Sequence, residues 1–562
     1  MFIDTARRIV VIISQRRRSQ RRLNVTNNTL LLLGDEAVAQ GALDAGVSGF
    51  YAYPGTPSTE IMEYAQTSRQ AAEAGVHRIW SANEKTAVEA ALGMSYAGKR
   101  AMAMMKHVGL NVAADPFVNS ALTGANGGLV ITVADDPSMH SSQNEQDGRE
   151  YAKFAMIPLL EPSNQQEAYD MCFAAFELSE RHETPVVLRL TTRIAHSRSG
   201  VTRRAQREQN RIALPEDKRQ FVLLPAIARK RYKLLLSRQE AFQRDAEDSP
   251  FNRYFNGEDK RLGIIAAGIA YNYVMENYHD GGCPHPLLKL SQYPVPRTLV
   301  AQLVDECEAV LVLEEGMPVI EGMLRGLLDR GPIIRGRMSG ELPRDGELNP
   351  AIVRVALDLD PFPSGTVPHG LVPRPPALCA GCSHIDSMNA INTAIRDVYG
   401  DGHVFSDIGC YTLGALPPYN AINSCVDMGA SITMAKGAAD AGLFPSVAII
   451  GDSTFTHSGM TALLDAVIEN TNMVVCILDN STTAMTGGQE SHASGRLVRI
   501  CEGLGVDSAH IRTLRPTRKT HGEFVQIIKE ELQYEGVSVV IPQRECVQTQ
   551  ARRAKLSRQG AQ

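Results

Sequence analysis

The chain has 562 residues, enough at roughly 100–200 residues per domain for three or four domains with cores of their own. Its composition, 44% hydrophobic and 21% charged with 46 Gly and 29 Pro, excludes wholesale disorder, collagen and coiled coil. A net charge of −5 argues against a nucleic-acid binder, and no apolar run approaches the roughly 18 residues of a membrane span.

The charge is uneven along the chain. Residues 1–22 carry seven Arg and one Asp, and residues 551–562 carry four more cations and no acid. The apolar stretch Ile9–Ile13 is too short for a secretory signal, whose core runs to roughly 7–15 residues. Residues 1–27 are therefore expected to form a basic tail, and 548–562 another. The chain is expected in the cytoplasm, with its ten Cys as reduced thiols or ligands rather than disulfides.

Leu30–Leu33 reads as a buried strand and Asp35–Ala45 as an Ala-rich amphipathic helix. Strands follow at Phe50–Tyr53, Gly128–Val133 and Thr184–Leu190, with helical patterns between them. That alternation predicts a parallel sheet covered on both faces, and makes 28–200 one α/β domain. Residues 201–260 form a charged linker or insert with a helix near Ala226–Gln243. Strands at Leu262–Ala267 and Ala309–Leu313 open a second α/β unit, 261–360. The Pro-rich stretch 361–376 is a linker, because Pro fixes φ and cannot join a ladder. A third unit, 377–547, has strands at Val404–Ser406, Val447–Ile450, Val474–Leu478 and Val537–Ile541. The fold class is α/β with three parallel-sheet domains.

The third unit carries the strongest chemical signal. Val447–Ile450 runs into Gly451-Asp452-Ser453, and Val474–Leu478 runs into Asp479-Asn480-Ser481-Thr482. Asp452 and Asn480 thus stand at the carboxyl ends of two parallel strands, where open α/β sheets bind ligands. A carboxylate and an amide oxygen suit Mg²⁺, completed by waters and phosphates. Gly451 lets the backbone approach a diphosphate, and Gly487-Gly488 after Met485-Thr486 suits a mobile lid. The spacing resembles the thiamine diphosphate signature, with Ser453 and Asp479 departing from its most common letters.

Two further features have more than one reading. Glu84, in Ser81-Ala82-Asn83-Glu84-Lys85, opens a small-residue helix over Ala87–Ala97. It either complements the helix dipole or shares a proton with a cofactor ring nitrogen. Cys379 and Cys382 form a CxxC, followed by Cys410 and Cys546. Four thiolates suit an iron–sulfur cluster, Cys379, Cys382 and His384 suit Zn²⁺, and free core thiols are the plainest reading.

Longer motifs stand in order along the chain: Tyr53-Pro54-Gly55-Thr56-Pro57-Ser58-Thr59-Glu60, Asn83-Glu84-Lys85, Met105-Lys106-His107-Val108-Gly109, Asp135-Asp136-Pro137-Ser138, Leu190-Thr191-Thr192-Arg193, Arg374-Pro375-Pro376 and Cys379-Ala380-Gly381-Cys382-Ser383-His384. Over about residues 28–547 the chain resembles the large subunit of indolepyruvate:ferredoxin oxidoreductase, a thiamine diphosphate-dependent 2-oxoacid:ferredoxin oxidoreductase family. The resemblance implies that 28–200 and 377–547 are thiamine diphosphate-binding folds, a pyrimidine and a pyrophosphate domain. The middle unit is then of the transketolase C-terminal type. It implies Glu84 as activator of the aminopyrimidine, Thr56 as a contact to substrate or thiazolium, and His107 as a proton carrier. Cofactor contacts fall on Gly409, Gly429, Gly451, Asp452, Ser453, Asn480, Thr482, Thr486 and Gly487, with Mg²⁺ held by Asp452, Asn480 and the Thr482 carbonyl. Cys379, Cys382, Cys410 and Cys546 then hold a 4Fe–4S cluster.

The implied reaction is oxidative decarboxylation of indolepyruvate or another aryl-pyruvate to an acyl-coenzyme A. Implied partners are a smaller beta subunit in an α2β2 heteromer and ferredoxin or another electron acceptor, with no nucleic acid and no membrane. Relatives usually continue into a ferredoxin-like segment; here no Cys follows Cys546, so electrons are expected to leave directly from the proximal cluster. The alternatives are a non-oxidative thiamine-dependent 2-oxoacid decarboxylase, which needs no cluster, and a non-catalytic subunit that keeps the fold.

Overall fold

The computed structural model describes residues 28–560 apart from 216, 218, 279–281, 364, 366–368 and 373–375. The basic stretch 1–27, part of the Pro-rich stretch including Arg374 and Pro375, and the last two residues lie outside the described residues.

Three mostly parallel sheets organise the chain, their central strands apolar and buried on both faces as helix-covered parallel sheets require. The first has seven strands, in the spatial order Gln292–Tyr293, Leu159–Leu160, Val186–Thr191, Leu129–Asp135, Ala101–Lys106, Gly49–Ala52 and His77–Trp80. Its edge strand Gln292–Tyr293 runs antiparallel and comes from the middle unit, so the two units are laced together. The second sheet has five strands: Ile333–Arg335, Ala309–Leu313, Gly263–Ala267, Leu287–Leu290 and the antiparallel edge Arg253–Phe255. The third has six, all parallel: Ser424–Cys425, His403–Ser406, Ser446–Gly451, Met473–Leu478, Val537–Pro542 and Ile511–Leu514.

Three expectations of local structure differ from what is observed. The Leu run does not enter the parallel sheet. Thr29–Leu33 pairs antiparallel with Arg198–Thr202 in a separate ribbon, and Leu31 is 68% exposed. Four consecutive Leu carry no alternation that assigns them a face. The segment read as a C-terminal basic tail is the helix Val547–Gly560, built largely from Gln, Ala, Arg and Lys, good helix formers. Within 201–260 the helix runs longer than its apolar pattern suggests, Pro225–Glu247, and buries only Leu235, Phe242 and Ala246 on one stripe.

A buried ionic network joins the first and middle units. Arg189, mid-strand and fully buried, donates to Asp135 at 2.6 Å, to Glu161 at 2.5 Å and to the Glu315 carbonyl at 3.1 Å. Arg149 donates to Asp147 and Glu314, both at 2.6 Å. Burial, with the Glu347 charge nearby, pushes Glu315 up to about 7. Buried charges persist only when each finds such partners, and removing one side strands the other. Arg189→Met leaves Asp135 and Glu161 without their cation. It should lower unfolding stability by about 3–5 kcal/mol in a urea titration. An unchanged midpoint would show that the network contributes nothing net.

Candidate functional site

The carboxyl ends of the first and third sheets face each other across a cavity of about 410 Å³. This is the edge where loops leave parallel strands and ligands bind. From the first unit come Tyr53–Thr56, Glu84, Lys106 and Val108–Gly109; from the third come Ile408–Tyr411, Gly451–Thr454, His457, Asn480 and Thr482–Thr486.

Glu84 is buried at the first position of the helix Glu84–Tyr96. That helix starts there because the Asn83 side chain accepts the Thr86 N–H at 2.9 Å, a standard N-cap. A Cβ on Gly109 would stand 2.6 Å from the Glu84 Oε1, so glycine is what lets the carboxylate lie there. The other oxygen, Oε2, lies 2.8 Å from Nε2 of His457 in the opposite unit. His457 sits in a widened π-helical turn, Phe455–Gly459, a feature often found at functional sites. Its carbonyl accepts from the Asn83 amide at 2.9 Å, and its Nδ1 lies 2.6 Å from the Ser458 hydroxyl. Ser453 makes the second crossing, 2.8 Å from the Tyr53 hydroxyl. The departure from glycine at that position thus supplies a bond between the units.

In the third sheet Gly451 pairs with Leu478, so the Asp452 and Asn480 loops leave at the same level. Asp452 is buried, and one of its oxygens has no hydrogen-bond partner. Burial, with Asp479 nearby, pushes its carboxyl up to about 7. The Asn480 oxygen accepts the Thr482 N–H at 3.1 Å. Its amide nitrogen lies 3.2 Å from Nε2 of His384, which burial lowers to about 4 and so keeps neutral. A neutral imidazole can accept that amide and fix which way Asn480 points. An unpartnered buried carboxylate beside amide and carbonyl oxygens fits Mg²⁺. The preceding turn is held by Asp407, whose carboxylate accepts from the N–H groups of Ile408, Gly429 and Ser431 at 2.8–3.1 Å.

A second cavity, about 380 Å³, lies beside the first and is lined by Cys379, Cys382, Cys410 and Cys546. Burial raises Cys382, and raises Cys410 to about 11, with the neighbouring thiols adding to both shifts. Among the described residues, no three of these cysteines and His384 bring ligand atoms within 4.8 Å of one another. A single zinc ion needs sulfurs roughly 3.8 Å apart, and His384 is already engaged by Asn480. Four thiols spaced around a cavity fit a larger cluster better than one ion. Gln548 and Arg552 of the terminal helix also line it. Cys410, His384, Asn480 and Ala484 line both cavities, so the wall between them is a single layer of residues.

Thr56, Glu84, Gly409, Gly451, Asp452, Ser453, Asn480, Thr482 and Thr486 therefore all meet at one cavity. Three residues expected with them do not line it. His107 is fully buried, with Nε2 3.1 Å from the Asn144 carbonyl. Gly429 lies behind the cavity, bonded to Asp407. Gly487 lines the cysteine cavity instead. His457 and the orienting contact of His384 were invisible in the sequence, where nothing pairs them with residues of distant segments.

Residues 40–232 match the family described as "Pyruvate flavodoxin/ferredoxin oxidoreductase, thiamine diP-bdg". Residues 407–541 match "Thiamine pyrophosphate enzyme, C-terminal TPP binding domain". Indolepyruvate oxidoreductase subunit IorA of Archaeoglobus fulgidus is 40% identical over 549 residues, covering 92% of this chain and 86% of its own length. The protein of that name from Thermococcus kodakarensis is also 40% identical, with the same coverage. The chain belongs to the IorA family of indolepyruvate oxidoreductase subunits. It is accordingly one subunit of a thiamine diphosphate-dependent 2-oxoacid oxidoreductase, and the matches do not favour the non-oxidative decarboxylase reading. 2-Oxoglutarate synthase subunit KorA of Methanocaldococcus jannaschii is a more distant relative, 28% identical over 176 residues. A solved 2-oxoglutarate:ferredoxin oxidoreductase from Magnetococcus marinus overlays 59% of this chain with a TM-score of 0.49 at 17% identity.

The contact between His457 and Glu84 has a measurable consequence. A hydrogen bond to a charged group contributes about 1.5–3 kcal/mol. His457→Ala should weaken thiamine diphosphate binding roughly 10–100-fold at saturating Mg²⁺ in a calorimetric titration. His457→Gln, which keeps a donor, should recover part of that loss.

Proposed function

We propose that the chain is the large subunit of an enzyme that oxidatively decarboxylates indolepyruvate or a similar aryl-pyruvate to an acyl-coenzyme A. Cys379, Cys382, Cys410 and Cys546 would hold a 4Fe–4S cluster, which would supply one-electron transfer beside the cofactor. The observation that carries this reading is the shared wall. Cys410 lies between the thiamine cavity and the cysteine cavity, so electrons have one residue layer to cross. A non-oxidative decarboxylase has no use for four thiols at that wall.

Thiamine diphosphate, when bound, supplies the carbanion chemistry that releases CO₂. Asp452, the Asn480 amide oxygen and the Thr482 carbonyl would hold its Mg²⁺. One Glu84 oxygen would be free to share a proton with the aminopyrimidine ring, while His457 holds the other. Thr56 lies on the loop that faces the reacting centre. Lys106 is the one Lys or Arg among the described residues lining the cavity, and it meets the carboxylate of the 2-oxoacid. Val112, Val426 and Met485, partly exposed at the mouth, offer an apolar face to the aryl group. The relatives are named as subunits. This supports a smaller partner subunit, which completes an α2β2 enzyme, with ferredoxin or another one-electron acceptor downstream.

The reading is tested by anaerobic purification with the partner subunit. About four irons per chain and strict dependence of 2-oxoacid turnover on an electron acceptor are expected. Cys410→Ala should keep thiamine diphosphate binding and lose acceptor reduction by about 100-fold or more. Iron-free protein that releases aldehyde without an acceptor would overturn it.

Lys106 gives a second test. Burial lowers it to about 8, so its charge is present below that pH and lost above it. The KM for the 2-oxoacid should therefore rise through pH 8–9 in the wild type. In Lys106→Met the KM should be roughly 10–100-fold higher at pH 7 and lose that pH dependence.

A further inference from the structure

Outside the cavity, three ligand-bearing side chains from three elements converge. Asp35 lies in the first turn of the helix Gly34–Asp44, Glu60 in the first turn of Thr59–Thr67, and His196 at the end of Thr192–His196. One ligand atom from each lies within 4.8 Å of the other two. Gly34 makes this possible. A Cβ there would stand 2.1 Å from the Ile194 carbonyl oxygen, so only glycine lets this helix start pack against the segment carrying His196.

Asp35 is fully buried, and neither of its carboxylate oxygens has a hydrogen-bond partner. A buried carboxylate facing a second one is costly unless a proton or a cation stands between them. Burial, and then Glu60, push the Asp35 carboxyl well above its ordinary range. Among the described residues no Lys or Arg pairs with Asp35 or Glu60; the one ionic neighbour is His196, whose Nε2 lies 3.6 Å from Glu60. Nearby acids are engaged elsewhere: Glu36 accepts the Leu33 N–H, and Asp136 accepts from Ser141, Ser142 and Thr192.

We propose that Asp35, Glu60 and His196 bind one divalent transition-metal ion, of the zinc class. One imidazole nitrogen with two carboxylate oxygens suits Zn²⁺, Mn²⁺ or Fe²⁺ rather than Mg²⁺ or Ca²⁺, which take oxygen alone. Around tetrahedral zinc, nitrogen and oxygen ligands stand roughly 3.3 Å apart, close to the 3.6 Å between His196 and Glu60. A dication balances the two carboxylates. The Glu60 and His196 side chains are each 35% exposed, which gives the ion a path in and leaves its fourth position to water. The site differs from the Mg²⁺ position in donor set and in location. Its structural effect falls on the segment Tyr53–Glu60, whose first residues line the thiamine cavity. Metal at Glu60 anchors the far end of that segment.

The test uses holoenzyme with its cysteine site reconstituted with iron and its cofactor site saturated with Mg²⁺ and thiamine diphosphate. Protein is equilibrated with ZnCl₂, freed of unbound metal and analysed for elements. Wild type should retain one zinc per chain more than either Asp35→Asn or His196→Ala. Loading with Co²⁺ instead should give visible d–d bands without a thiolate charge-transfer band, and both variants should lose them. Asp35→Asn is nearly isosteric, and circular dichroism checks that it folds. Equal zinc in wild type and both folded variants would overturn the proposal and assign a shared proton to the carboxylate pair.

Discussion

The contact between Glu84 and His457 crosses from one thiamine-binding unit to the other, and the site exists only while that crossing is closed. The proposed proton-sharing carboxylate stands at the edge of the first sheet, and the proposed metal-binding carboxylate, Asp452, at the edge of the third. Neither edge is a site alone. The crossings that align them are polar: His457 to Glu84, Asn83 to the His457 carbonyl, Tyr53 to Ser453, and Gln489 to Glu63. Polar contacts are directional, so they set distance and angle where an apolar seam would permit sliding.

Behind this crossing the third sheet divides its labour. Asp452 lines the thiamine cavity, and Cys379, Cys382 and Cys546 line only the neighbouring one. Cys410 belongs to both sides because the turn after His403–Ser406 is pinned by three backbone N–H groups donated to Asp407. His384 does the same from the CxxC side: it follows Cys382 by two residues and reaches Asn480. The helix that begins at Ser383 thereby couples a proposed cluster-ligand position, Cys382, to a proposed magnesium-ligand position, Asn480. Burial of Cys172 and Cys476 away from this wall raises their thiols well above the ordinary range, as inert core cysteines require.

Much of this was legible in sequence where chemistry is local. Asp452 and Asn480 follow apolar strands directly, and the cysteines keep a recognisable order. Strand Ala101–Lys106 was not legible, because Ala and Met favour helix when read alone and only its central place in a sheet overrides them. The resemblance placed His107 in the site, yet at a strand-to-helix junction one position decides whether a side chain faces the cavity or the Asn144 carbonyl. His457 could not be read at all: its partner lies 373 positions away, and no local pattern encodes a contact between units.

The thiamine cavity and the cysteine cavity are proposed to work as one redox unit. The most direct measurement is electron paramagnetic resonance of the anaerobic holoenzyme, frozen after a single addition of aryl-pyruvate without any external acceptor. A reduced iron–sulfur signal should appear in the wild type and be absent in Glu84→Gln, whose cluster content is unchanged. Full decarboxylation in the wild type with the cluster remaining oxidised would contradict it.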